Sequence, residues 1–396
     1  MKYDFETLVN RKNKNSIKWN LMDKRNSNLA SNNIPPFSIA DYDFKYPDVL
    51  IDKFKQYIDE TLFGYTQPDD NYYNSFINWV IKRYNFEIKR EWILDGSGVV
   101  ASIFNSIRAF SSEGDGIIIM TPVYPPFAKS IVKAERKVIE CGLINTNGKY
   151  TIDFDLLEKQ CANSNNKVLI LCSPHNPVGR VWTKAELEEV STITTKYGVL
   201  VVSDEIHMDI TLEGHSHHIY ASLNKRSLEN TIMLTSAGKS FNLAGVTTSF
   251  IVIPNQDIRN RYNDYVAKNC KTNFNAFGFK LTEIAYTECE AWFDEFLTQI
   301  TYNYNLMNTY IKEHLPMIKV SPLEGTYLLW LDFRALNKSD KELFDFLVDV
   351  CQIYINSGDT YGKSGQGFVR FNIATPSWAL DAALKRLSLN ISKLNS

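Results

Sequence analysis

The segment TSAGKSFNLAG, residues 235–245, sets one lysine, Lys239, in a turn of small and hydroxyl-bearing residues directly after an apolar run. A lysine amine attacks a carbonyl only when deprotonated, and a partly enclosed site lowers its pKa enough to allow that. Ser236, just upstream, offers a hydroxyl to a phosphate. Lys239 is either such an amine or a solvated lysine at a strand end, and its companions along the chain decide between the two. Asp204 closes the run VLVVSDE, where ligands meet open α/β sheets. A carboxylate there holds a pyridine nitrogen protonated, or it caps a helix. Protonation of that kind makes a ring an electron sink for a carbanion. His207 donates to a ring oxygen or is a satisfied structural histidine.

Four further segments carry candidate contacts. In SPHNPVGR (173–180) prolines restrict the backbone on either side of Asn176 and present it at a fixed angle. DGSGVV (95–100) lies between a strand and a helix, so free N–H groups near Gly98, Val99 and Val100 suit a phosphate, although glycine turns before helices are also routine. Tyr124, between prolines in TPVYPPF (121–127), stacks on a planar ligand or simply packs. Arg370 lies in the apolar run GFVRFN and needs an anion, either a substrate carboxylate or an internal partner. GHSHH (214–218) has no carboxylate or cysteine at ligand spacing, and no metal site is expected.

These side chains need a scaffold, and the pattern supplies one. Apolar runs at 92–94, 116–120, 137–140, 168–172, 199–203, 231–235 and 249–253 alternate with helical stretches such as Thr183 to Tyr197, the mark of an α/β fold with a mostly parallel sheet between helices. A long helix from Glu290 to His314 leads to later strands near 326–333 and 368–373, expected to form a smaller α/β domain onto which the N-terminal segment folds back. The expected division is 48–288 for the large domain, with 1–47 and 289–396 forming the small one.

Composition narrows the function. With 43 basic and 45 acidic residues the formal charge is −2, which gives no net pull toward nucleic acid or anionic membrane. No window approaches the roughly 20 apolar residues of a membrane span, and the N-terminus lacks a signal-peptide core. Six cysteines without a C-x-x-C pair suit a reducing cytoplasm. A nicotinamide dehydrogenase is disfavoured because its glycine fingerprint is missing.

Taken in order, IADYDF (39–44), FGYTQPD (63–69), SPHNPVGR, VVSDEIHMD, GKSFNLAG and YGKSGQGFVRFN resemble the fold-type I pyridoxal-phosphate enzymes of the class I and II aminotransferase superfamily, nearest the cystathionine β-lyase, or C–S lyase, branch. The resemblance implies a seven-stranded sheet in the large domain and pyridoxal 5'-phosphate held by Lys239 as a Schiff base. It implies that Asp204 pairs with the pyridine nitrogen, Asn176 with the ring oxygen, and Tyr124 with the ring face. Val99 and Val100, with Ser236, would hold the phosphate, and Arg370 the substrate α-carboxylate. Tyr65 would reach the neighbouring subunit's cofactor, which implies a homodimer with shared active sites. Thr247 stands where aspartate-type aminotransferases carry a phosphate-binding arginine, and His207 replaces their tyrosine; both favour the lyase branch. The expected reaction is α,β-elimination from cystathionine or a cysteine S-conjugate to thiol, pyruvate and ammonia, with IADYDF and the surroundings of Tyr124 lining the side-chain pocket. The alternatives are an aminotransferase of the same fold and a lyase that also binds a regulatory protein, as some members of this branch do.

Overall fold

The apolar runs in the middle of the chain become strands with both faces covered. The structure, a computed structural model, describes residues 2–270 and 275–394. The strands of the first half are β1 (Ile93–Gly96), β2 (Gly116–Ile119), β3 (Lys137–Glu140), the hairpin β4 (Ile144–Thr146) and β5 (Lys149–Thr151), and β6 (Asn166–Cys172). They are followed by β7 (Leu200–Asp204), β8 (Thr231–Thr235) and β9 (Ser249–Val252). Seven of these form one sheet in the order β1-β9-β8-β7-β6-β2-β3, each within two residues of its expected bounds. Pairing is parallel from β3 through β2, β6 and β7 to β8. β9 runs antiparallel to both β8 and β1. Parallel neighbours need a crossover, usually a helix. The link from β8 to β9 holds only the short helix Ala237–Ser240 and the turn Ala244–Val246, so the chain doubles back.

Alternation along β6 shows how the sheet is covered. Val168, Ile170 and Cys172 pack in one layer with Ile103 and Ile107 of the helix Val99–Phe110. Leu169 and Leu171 pack in the other with Leu187 and Val190 of the helix Lys184–Tyr197. Each such fully buried side chain contributes about 1.5–3 kcal/mol. The second helix starts one residue after the expected Thr183 because Thr183 is its N-cap, in a capping box with Glu186, and it stops at Gly198 with φ 66°.

The later strands, β10 (Lys319–Val320), β11 (Leu328–Asp332), β12 (Asn356–Ser357) and β13 (Phe368–Asn372), make an antiparallel sheet in the order β10-β11-β13-β12. Leu331, Val369 and Phe371 of this sheet share a core with Met307 and Ile311 of the helix Glu290–His314 and with Leu384 of the helix Ser377–Asn390. The N-terminal segment lies against the same sheet. Phe37 stacks on Phe371 with ring centroids 4.6 Å apart, and Asn372 N–H donates to Phe37 O at 2.9 Å. Residues 39–44 then run on to the lysine turn, where Asn242 Oδ1 accepts from Tyr42 N–H and Asn242 Nδ2 donates to Tyr42 O. Among the described residues no helix is long and apolar enough to cross a membrane.

Candidate active site

At the carboxyl edge of the sheet, segments far apart in sequence converge on a cavity of about 220 Å³. Val99, Val100, Tyr124, Asn176, Asp204, His207, Ser236 and Lys239 all line it. After β1 the chain turns at Gly98, whose φ of 105° is open to glycine but strained for other residues, and the helix that follows presents the free N–H groups of Val99 and Val100. The turn is packed without slack, since a Cβ on Gly96 would come within 2.4 Å of Ser249 Oγ and 2.6 Å of Ser102 Oγ. Ser236 Oγ accepts from Gly238 N–H at 2.9 Å, which leaves its own proton for a ligand. Among the described residues Lys239 is the one lysine or arginine in the lining, and the turn at Gly98 offers neutral N–H and O–H donors.

Burial sets the electrostatics. Asp204 is 4 % exposed, and its Oδ1 accepts from Ile206 N–H at 3.1 Å. Burial pushes its carboxyl up to about 7, against the pull of that N–H and of Lys239. Half-buried Lys239 donates from Nζ to Ala40 O at 2.5 Å. Burial brings its amine down to about 8, with Asp41 and Asp204 opposing and Arg370 assisting. His207 is held well below its ordinary value by burial, then by Lys239 and Arg370, so the ring is neutral. Its Nδ1 has no hydrogen-bond partner among the described residues. Burial also raises the Tyr124 phenol.

Arg370 adjoins this cavity through Asn176, whose Oδ1 accepts from its Nη1 at 3.1 Å. The guanidinium is 3 % exposed and also donates from Nη2 to Asn356 Oδ1 at 2.8 Å and to Ser38 O at 3.4 Å. Its Nε has no partner, and no carboxylate lies within 4.0 Å of it among the described residues. The internal salt bridge left open by the sequence is therefore not what this arginine makes. A buried cation facing only neutral acceptors is matched to an incoming carboxylate.

Tyr65 is not brought into the cavity of its own chain; its side chain is fully exposed. The run GHSHH is split, with His215 exposed and His217 buried 2.7 Å from Glu205 Oε2, and no group of metal-ligating residues occurs among the described residues. Sequence reasoning missed Ser97 and Thr248, which also line the cavity, and Tyr327, whose hydroxyl donates to Ala40 O at 3.0 Å. Tyr327 lies in a run, GTYLLW, with the signature of a core strand and nothing else to single it out. A wider chamber of about 700 Å³ shares Ala40, Lys239 and Ala244 with the inner cavity and is lined by Ile39, Asp41, Tyr42 and Phe44 of the IADYDF segment.

These groups fit pyridoxal phosphate. A buried carboxylate with one backbone donor is complemented by a protonated ring nitrogen, the cavity-lining His207 keeps an unpartnered imidazole nitrogen, and a helix start in the same lining as Lys239, whose amine has a lowered pKa, offers free N–H groups.

Residues 32–387 match the family described as aminotransferase class I and II. The chain is 32 % identical to cystathionine beta-lyase PatB of Bacillus subtilis (strain 168), over 98 % of this chain and 100 % of that protein. Among solved structures it is similar to cystalysin from Treponema denticola, which contains a pyridoxal 5'-phosphate cofactor, with TM-score 0.97 and 41 % identity over 100 % of both chains. It is also similar to the pyridoxal-phosphate-bound C–S lyase from Staphylococcus hominis complexed with L-cycloserine, with TM-score 0.90 and 27 % identity over 99 % of each chain.

Proposed function

The chain belongs to the aminotransferase class I and II family, and we propose that within it the protein is a pyridoxal-phosphate-dependent carbon–sulfur β-lyase. It cleaves cystathionine or cysteine S-conjugates to a thiol, pyruvate and ammonia. The observation that carries this reading is a buried guanidinium without a carboxylate, Arg370, one side chain away from a cavity that holds Lys239 and Asp204. That constellation suits an α-amino acid whose Cα proton is to be removed.

Pyridoxal phosphate, when bound, supplies a carbonyl that condenses with an amine and a protonated ring that draws electrons from Cα. Lys239 would hold it covalently, the Val99 and Val100 N–H groups with Ser236 would hold its phosphate, and Asp204 its ring nitrogen. Asn176 and His207 would bond its ring oxygen, with Tyr124 against its face. Arg370 takes the substrate carboxylate through paired N–H···O bonds and fixes the Cα–H direction. The Lys239 amine, its pKa lowered by burial, removes that proton. Asp204, shielded from water, would hold the ring nitrogen protonated. As the Cβ–S bond breaks, Lys239 in its protonated form, or the Tyr124 phenol, gives a proton to the departing sulfur. Water then completes the conversion of the remaining fragment to pyruvate and ammonia.

Transamination shares the steps through loss of the Cα proton and differs in where a proton returns. Thr247 and His207, standing where aspartate-type aminotransferases carry arginine and tyrosine, support elimination, as do the lyase names of relatives matched over almost their whole length. The reading includes a homodimer in which Tyr65 of one subunit completes the other's site. The full exposure of Tyr65, with Leu62 also largely exposed and Phe63 partly exposed beside an exposed Phe277, supports this. It also assigns the enzyme to the cytoplasm, in keeping with six unpaired cysteines, and divides the chain into 48–288 and 1–47 with 289–396.

The test is the absorbance of the purified protein, followed by cystathionine or an S-alkyl cysteine with pyruvate and free thiol assayed together. The expected result is a visible band that Lys239→Ala lacks, with pyruvate and thiol in equal amounts. A band without either product moves the reading to the aminotransferase, and no band after reconstitution removes Lys239 from its role.

A further inference from the structure

Next to the lysine turn, outside the cavity lining, lies a carboxylate that the reaction above does not use. Asp209 is 6 % exposed and accepts three side-chain hydrogen bonds, from Trp79 Nε1 at 2.9 Å, Tyr84 Oη at 2.7 Å and Ser240 Oγ at 2.5 Å. The three donors come from two segments. Trp79 and Tyr84 are on the helix Asp70–Tyr84, and the Trp79 ring packs edge-on to Phe241 with centroids 5.6 Å apart. Ser240 follows Lys239 on the short helix Ala237–Ser240. Asp209 lies in the stretch that follows Asp204 at the end of β7 and carries His207, and that stretch is wound by Met208 N–H to Glu205 O and Ile210 N–H to His207 O, both at 2.9 Å.

One carboxylate thus joins the segment bearing Asp204 to the segment bearing Lys239. A helix of four residues has no stability of its own, because nucleation is unfavourable and propagation never begins. Tertiary ties must fix it, and those to Ser240 are the Asp209 carboxylate and the Tyr42 hydroxyl, which donates to Ser240 O at 3.1 Å. Hydrogen bonds to a charged acceptor are the stronger kind, and this one is buried.

We propose that Asp209 is a positioning residue for Lys239: through Ser240 it locks the lysine turn to the Asp204 segment, so that the amine and the carboxylate at the ring nitrogen keep one spacing. This rests on the reading of Lys239 as the cofactor-bearing lysine. Ser240→Ala cuts the link while leaving Asp209 its other two donors. Tyr84→Phe removes a donor from the same carboxylate on the side of the outer helix and serves as the structural control.

In the loaded enzyme Ser240→Ala is expected to lower kcat roughly ten- to a hundredfold, the scale of a misplaced catalytic group, with KM within about twofold. A second readout needs no cofactor: the pH midpoint of Lys239 acylation by acetic anhydride in the cofactor-free protein, followed by peptide mass spectrometry. A loosened turn lets the amine meet water, so the midpoint rises by about half a unit or more toward the ordinary lysine value. Tyr84→Phe should lower Tm at least as much while moving kcat and the midpoint less. Ser240→Cys, a weaker donor of similar shape, should fall between wild type and Ser240→Ala, and it carries the comparison if Ser240→Ala does not fold. Equal effects of Ser240→Ala and Tyr84→Phe on both readouts, or no effect of either, would overturn the inference. Borohydride reduction of the loaded wild type separates the two readings. Cofactor trapped on Lys239 together with an unmoved Ser240→Ala removes only the role of Asp209, whereas cofactor trapped elsewhere removes the role of Lys239.

Discussion

Replacing Arg370 by lysine keeps a cation in the buried strand and removes the fork. The guanidinium gives one N–H to Asn176 and its Nη2 donors to Asn356 and, at 3.4 Å, Ser38 O, and it retains one on Nη1 and the unpartnered Nε for a ligand. An ammonium has three donors. Two would stay with the asparagine oxygens and one would remain for the substrate carboxylate, so one of two charge-assisted hydrogen bonds is lost. That is worth about 1.5–3 kcal/mol, or roughly ten- to 150-fold in kcat/KM. Because the carboxylate is held both before and during proton removal, the loss should fall mainly on KM. The assay is thiol release over a range of S-alkyl cysteine concentrations, run beside the matching amine that lacks the carboxylate and would leave acetaldehyde in place of pyruvate. Wild type should prefer the amino acid strongly, and Arg370→Lys should narrow that preference with the cofactor absorbance and Tm little changed. If KM stays within twofold and the preference is unaltered, the carboxylate is bound elsewhere and the reasoning from the missing counter-ion is wrong.

Other expectations follow from the same geometry. Asp204 has its pKa raised by burial from 3.8 to about 7, so the folded cofactor-free protein binds more protons than the unfolded chain between those values. Its stability is then fully present below the unfolded pKa and lost as pH rises through about 7. Asp204→Asn removes that titration, so by urea denaturation the cofactor-free variant should gain on wild type from pH 5 to pH 8, by up to about 2.7 kcal/mol for the roughly two pH units crossed below the folded value, while losing cofactor affinity; a constant difference across that range contradicts the assignment. Lys239→Ala and Tyr65→Ala should each be inactive, yet unfolding and reannealing an equal mixture should restore activity, toward about a quarter of wild type for random pairing in a shared-site dimer. No recovery would refute sharing. Gly96→Ala should cost about 1–3 kcal/mol in stability and weaken phosphate binding, because the added methyl meets Ser249 and Ser102 below 3 Å; an unchanged Tm and cofactor affinity would show that the turn has more room than this.

The chemistry at the carboxyl edge of the sheet was legible from local pattern. Unbroken apolar runs such as VLVVSDE must become buried strands, and in such a sheet ligands meet the strand ends, so Asp204, Asn176, Ser236 and Lys239 could be nominated without coordinates. The antiparallel turn of β9 was not legible, because apolar periodicity carries no strand direction; it follows from the link after Lys239 being too short in helix to cross over. Whether Arg370 faces an internal acid or an open site was likewise undecided in GFVRFN, since its neighbours Asn176, Asn356 and Ser38 come from three other segments. The pKa values of Lys239 and Asp204, and the tie of Asp209 to Ser240, arise from burial and from contacts between residues distant in the chain. Residue type and spacing determine which groups are available for chemistry; only tertiary packing decides which of them lose water and which partners they are left with, and that loss sets their reactivity.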